Sequence, residues 1–136
     1  MKSVLAFLHF EGNCRQAMHF YQQCLGAELQ LTPYPDADGK PSSDADAMIM
    51  HSQLNYKGQP ILMASDSAPG GKIDAGNNFT VSVDCESPAE LEQFFASVAA
   101  GGAIRLPLSD MPWGARFGML TDKFGIQWFF NCALSQ

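Results

Sequence analysis

The strongest constraint on the fold of this chain is a pattern that occurs twice: an apolar strand-like segment, an amphipathic helix shut off by glycine, then three more strand-like segments. In the first half, Ser3–Phe10 is rich in aromatic and branched residues and stops at Glu11-Gly12, which reads as a buried strand closed by a turn. Asn13 is placed to cap the helix that follows, with Gln16 as its capping-box partner. Cys14, Ala17, Met18, Tyr21 and Leu25 then keep helical spacing until Gly26. Strands are expected at Ala27–Tyr34, Ala47–Tyr56 and Gln59–Ser65, the last two joined in a hairpin at Lys57-Gly58. Residues 35–46 lack apolar periodicity and read as a polar loop.

The second half repeats the order. Asn78–Cys85 alternates as a strand, and Ser87-Pro88-Ala89-Glu90 is a capping box with proline in the first helical position. Leu91, Phe94, Phe95, Val98 and Ala99 form the apolar stripe, and Gly101-Gly102-Ala103 closes the helix as Leu25-Gly26-Ala27 closed the first. Strands at about Ala103–Leu108, Gly114–Thr121 and Ile126–Leu134 complete the unit. The expected fold class is α+β with two βαβββ repeats in one domain, 1–136. The repeats cover about 1–66 and 78–134, separated by a Pro- and Gly-rich linker at about 67–77.

Charge narrows the partners. Fourteen acidic against eight basic residues give a net charge of -6, which repels nucleic acid and anionic lipid. Apolar runs such as Val4–Leu8 are too short to span a bilayer, and Met1-Lys2 leads directly into a strand, so the cytoplasm is the expected location. Cys14, Cys24, Cys85 and Cys132 form no C-x-x-C pair, which disfavours a zinc knuckle or a dithiol redox motif and favours buried, reduced thiols. Pro69-Gly70-Gly71-Lys72 lacks phosphate-loop spacing, and neither G-x-G-x-x-G nor G-x-S-x-G occurs.

Several short motifs then point to a family. Phe10-Glu11-Gly12-Asn13-Cys14, Phe20-Tyr21, Leu25-Gly26-Ala27-Glu28, Trp113-Gly114, Phe117-Gly118 and Asp122-Lys123-Phe124-Gly125 with Trp128 and Asn131 resemble the PhnB-like branch of the vicinal oxygen chelate superfamily. That superfamily includes glyoxalase I, extradiol dioxygenases and bleomycin resistance proteins. The resemblance implies curled, U-shaped mixed sheets, a homodimer, and a site on the concave faces where four side chains commonly hold a metal. The four positions fall on Ala6, His51, Asn78 and Phe129. Only His51 is an ordinary metal ligand, so no metal and no other cofactor is expected, and glyoxalase or dioxygenase chemistry loses its Lewis acid. Proteins of this branch are sometimes labelled demethylubiquinone methyltransferases, but a methyl donor needs a binding fold that this strand order does not provide.

The candidate ligand-binding residues are His51, Asn78, Thr80, Trp113, Arg116, Gln127 and Phe129. His51 is the candidate acid or base. His9 and His19 are expected to be structural or exposed, with His9 pointing away from the face of Ala6. Asn78, Thr80 and Ser82 should share one strand face, and Gln127, Phe129 and Asn131 another. Met111–Phe117 offers Trp113 to close a site and Arg116 to hold an anion or carbonyl, with a sheet-edge Trp and an ion-paired Arg as the structural alternative; Arg105 could replace Arg116. The resulting expectation is a protein that binds a small molecule in a cavity without a metal. The alternatives are an isomerase, lyase or dioxygenase type of enzyme using His51 as acid or base, or a relocated metal held by His51 with His9 or an acidic residue.

Overall fold

The computed structural model describes residues 1–68 and 70–134, and the chain divides into two compact units, Met1–Ala75 and Gly76–Gln136. Unit 1 contains β1 (Phe7–Phe10), α1 (Cys14–Leu25), β2 (Glu28–Pro33), β3 (Ile49–Tyr56) and β4 (Gln59–Asp66). Unit 2 contains β5 (Val81–Cys85), α2 (Pro88–Ala99), β6 (Ala103–Met111), β7 (Ala115–Thr121) and β8 (Gln127–Ala133). The sheets have the orders β1-β4-β3-β2 and β5-β8-β7-β6. In each, the first strand pairs parallel with the last and the remaining pairs are antiparallel. Hairpins build three neighbouring strands, and the helical crossover returns the first strand to the far edge.

Both opening strands are shorter than the sequence suggests. β5 starts at Val81 and not at Asn78: Val81 pairs with Trp128 and β8 begins at Gln127, so Asn78 and Phe79 lie beyond the end of the partner strand. β1 starts at Phe7 and not at Ser3. The facing end of β4 carries Pro60, which has no amide to donate.

Each helix buries one face on its own sheet. In unit 1, Cys14, Ala17, Met18, Tyr21 and Leu25 form a core with Ile49, Leu54, Leu62 and Ala64. In unit 2, Leu91, Phe95 and Val98 meet Leu120, Trp128 and Phe130, with Phe95 edge-on to Phe130 at 5.7 Å between centroids. Gly118 makes this approach possible, since a Cβ there would lie 2.8 Å from both Phe95 Cε2 and Leu108 Cδ2. Among the described residues, no helix is long and apolar enough to cross a membrane.

The helix starts differ in how they are capped. Ser87 Oγ accepts from Glu90 N at 3.1 Å and Pro88 opens α2, as the sequence predicts, while Glu90 Oε1 reaches back to Glu86 N at 3.2 Å. Asn13 makes no side-chain cap, because its backbone (φ -113°, ψ 18°) is not in the extended geometry that aims a capping side chain at the first turn. Asp66 takes over from the end of β4. Its Oδ1 accepts from Gly12 N at 2.8 Å and Cys14 N at 2.9 Å, and its Oδ2 from Ile49 N at 2.8 Å.

Two stability measurements follow from this packing. Asp66→Asn, which replaces one acceptor by a donor, should lower stability by about 1.5–3 kcal/mol in urea unfolding, and Asn13→Ala should cost less than about 0.5 kcal/mol. Equal losses for the two variants would show that Asp66 does not cap α1. Gly118→Ala should cost about 1–3 kcal/mol through overpacking against Phe95, and an unchanged midpoint would contradict that contact.

Candidate functional site

Register decides which side chains share a face. On the first sheet Leu54, Leu62 and Ala64 turn toward α1, and the alternate residues turn away from it. His51 is opposite Thr32 on β2, while Ser52 pairs with Ala64, so His51 is next to Ser65 on β4. Ser65 in turn pairs with His9 on β1. A polar row His9, Ser65, His51, Thr32 thus crosses the sheet, and Phe7 packs against both imidazoles, at 5.2 Å from His9 and 5.9 Å from His51 between centroids. The next rows add Met63, Gln53 and Gln30, then Asn55 and Glu28, with Gln53 Nε2 donating to Asn55 Oδ1 at 2.9 Å.

This arrangement corrects the expected position on the first strand. Continuing the alternation of β1 puts Ala6 on the side of Leu8 and Phe10, whose Phe10 is buried, and gives Phe7 and His9 to the face of His51. His9 is exposed and on the face opposite to Ala6, as the sequence suggests, and it shares that face with His51.

On the second sheet Trp128 and Phe130 turn toward α2, so Gln127, Phe129 and Asn131 turn away from it together. Their neighbours by register are Thr121, Met119 and Phe117 on β7, and Ser82 and Asp84 on β5. Three rings make a continuous edge-to-face run: Trp113 to Phe117 at 5.9 Å and Phe117 to Phe129 at 5.2 Å between centroids. Polar groups flank the rings. Asn131 Nδ2 donates to Asp84 Oδ1 at 3.1 Å, and Arg105 Nη1 donates to Gln127 Oε1 at 3.3 Å.

Three expected site residues lie elsewhere. Arg116 pairs in register with Cys132, which places it on the α2 side of the sheet, opposite to Phe129. There its Nε donates to Asp110 at 2.8 Å and its Nη1 to Glu92 at 3.2 Å, and these carboxylates hold the guanidinium pKa above its ordinary value. Arg116 is therefore held in a structural ion pair on the α2 side of the sheet. Asn78 and Thr80 precede β5, so of the expected trio only Ser82 occupies a strand face. Asn78 is exposed.

The donors available for chemistry are limited. Of Ala6, His51, Asn78 and Phe129, only the His51 imidazole is an ordinary ligand for a transition metal. Among the described residues no three His, Cys, Asp or Glu side chains are grouped to hold a metal ion. Four buried thiols are present, but burial pushes Cys14 up to about 11, with Asp66 adding to the shift, and Cys85 up to about 12, with Glu90 adding to it. Neither is a thiolate nucleophile at neutral pH. What remains is an imidazole row on one sheet and an aromatic run with polar flanks on the other.

Comparison with known proteins agrees with the fold and supplies the family. The family model described as 3-demethylubiquinone-9 3-methyltransferase matches residues 2–130. Protein YjdN of Escherichia coli K12 is 33% identical over 96% of this chain and 95% of its own. The crystal structure of PA1353 from Pseudomonas aeruginosa aligns with a TM-score of 0.83 and 36% identity, covering 98% of each chain. A Bacillus cereus structure described as a putative 3-demethylubiquinone-9 3-methyltransferase, PhnB protein, aligns at 0.77 with 28% identity, over 96% of this chain and 99% of that one. At the level of fold alone, a glyoxalase/bleomycin resistance protein/dioxygenase family enzyme from Burkholderia phytofirmans PsJN aligns at 0.66 with 13% identity, over 97% of this chain and 100% of that one. With matching element order, sheet topology and near full-length similarity, the chain belongs to the 3-demethylubiquinone-9 3-methyltransferase family and shares the fold of PhnB and of glyoxalase/bleomycin resistance/dioxygenase proteins.

Proposed function

We propose that this protein binds a small organic molecule through the face of its second sheet turned away from α2, and does so without the metal of the superfamily. The observation that carries this reading is the run Trp113, Phe117, Phe129 beside Asn131, Asp84 and Gln127. Rings supply area and stacking, and a few placed polar groups supply orientation, which is the usual composition of a small-molecule site. Trp113 is 64% exposed and extends the aromatic patch of Phe117 and Phe129 to the surface.

The donor chemistry does not fit the superfamily metal. Phe129 and Ala6 have no lone pair to give, and His51 alone cannot complete a coordination shell. Methyl transfer also lacks support in the strand order. Nucleotide-like donors bind at the carboxyl ends of doubly wound parallel sheets, whereas each sheet here has one parallel pair and two antiparallel ones.

Purified protein should contain far less than one equivalent of transition metal, and zinc, nickel or manganese should leave its melting temperature unchanged. Stoichiometric metal with a raised melting temperature would overturn the metal-independent reading. For the aromatic site, titration with 1-naphthalenemethanol followed by NMR should shift the signals of Phe117 and Phe129. Trp113→Ala should weaken that binding about tenfold. Binding that is indifferent to both Trp113→Ala and Phe129→Ala would place the ligand elsewhere.

A further inference from the structure

The rings have an acidic neighbour with spare capacity. Asp84 on β5 is opposite Asn131 on β8, and Asn131 is opposite Phe117 on β7, so the three form one row across the face turned away from α2. Phe129 lies one face position along β8 and packs edge-to-face on Phe117 at 5.2 Å. Asp84 uses Oδ1 to accept from Asn131 Nδ2 at 3.1 Å, and Oδ2 makes no hydrogen bond among the described residues. It has no cationic partner there either. Arg116, the nearby cation of β7, is held on the other side of the sheet by Asp110 and Glu92.

Resting on the reading of this face as a ligand site, we infer that the ligand is an organic cation, an aromatic or alkyl ammonium whose charged head sits over Asn131. From there Asp84 is reached on one side and the Phe117 and Phe129 rings on the other. Ring faces carry negative charge density and attract ammonium groups, and an unpaired carboxylate adds a direct counter-charge. Asn131 fixes the rotamer of Asp84, so the carboxylate is oriented before the ligand arrives. The net charge of -6 works in the same direction, favouring approach of cations over anions. A neutral aromatic of the same shape would gain the stacking but not the charge pairing.

The test compares 1-naphthylmethylammonium with 1-naphthalenemethanol, which differ in little but the charge, by calorimetry and by NMR on the whole protein. The ammonium should bind about five- to tenfold more tightly at low salt, and the preference should shrink as salt rises. Asp84→Asn keeps an acceptor for Asn131, and should abolish the preference for the ammonium over the alcohol. Equal affinity of the two probes for the wild-type protein, or a preference that survives Asp84→Asn, would overturn the cation assignment and leave the aromatic site standing. If neither probe shifts Phe117 and Phe129, the cation assignment and the aromatic site fall together.

Discussion

One carboxylate holds the first unit in its observed form. Asp66 is buried at the end of β4, and its two oxygens accept from the turn that opens α1 and from the first amide of β3. Without it, the amides of Cys14 and Ile49 would lose their partners where water has little access, a cost of about 1–3 kcal/mol for each unsatisfied group, and the exposed Gly12 amide would turn to water. The negative charge also meets the positive end of the helix dipole. The same residue fixes the alternation that matters for the site. By tying β1 and β3 to the end of β4, it sets the register in which His9, Ser65 and His51 line up.

The second unit reaches a similar end by a different route. Asp122, buried after β7, accepts from Phe124 N and Ile126 N within its own turn and from Trp128 Nε1 at 2.8 Å. That bond fixes the indole in the core layer and so fixes which residues of β8 face α2. Phe129 and Gln127 are turned away because Trp128 and Phe130 are turned in. Close approach of backbone reinforces the arrangement at Gly102, where a Cβ would run into the Thr121 carbonyl and the Asp122 backbone.

Element order and helix ends were legible in the sequence because the forces behind them are local: glycine at the end of α1, Ser87 and Pro88 at the start of α2, and turn residues between strands. The capping of α1 was not, because its partner lies 52 residues away and no short-range pattern connects Asp66 to Cys14. The stripe of Gln127, Phe129 and Asn131 could be read directly from alternation next to an apolar Trp128 and Phe130. Of the two readings of Arg116 the structure shows the ion-paired one, because its side depends on how the hairpin between Met111 and Ala115 sets the parity of β7. A one-residue difference there reverses the face of every side chain in the strand. Asn78 and Thr80 fit a strand pattern, but their strand ends where the partner strand does.

Metal coordination and the aromatic face of the second sheet place opposite demands on a side chain at position 129. A metal needs donors converging on one point at about 2.0–2.6 Å, and its carboxylate, thiolate and imidazole donors bind only in their deprotonated forms. At Phe129 this chain has a ring, and the ring is part of a packed run through Phe117 to Trp113. A carboxylate set there would lie beside Met119 and Phe117 with no cation to face, and partial burial would favour its neutral form. A ring at this position offers contact area and ring electrostatics, where a carboxylate or imidazole would offer directional coordination tied to pH. The polar groups at the border of this face are Asp84, Asn131, Gln127 and Arg105, and they alone give it direction.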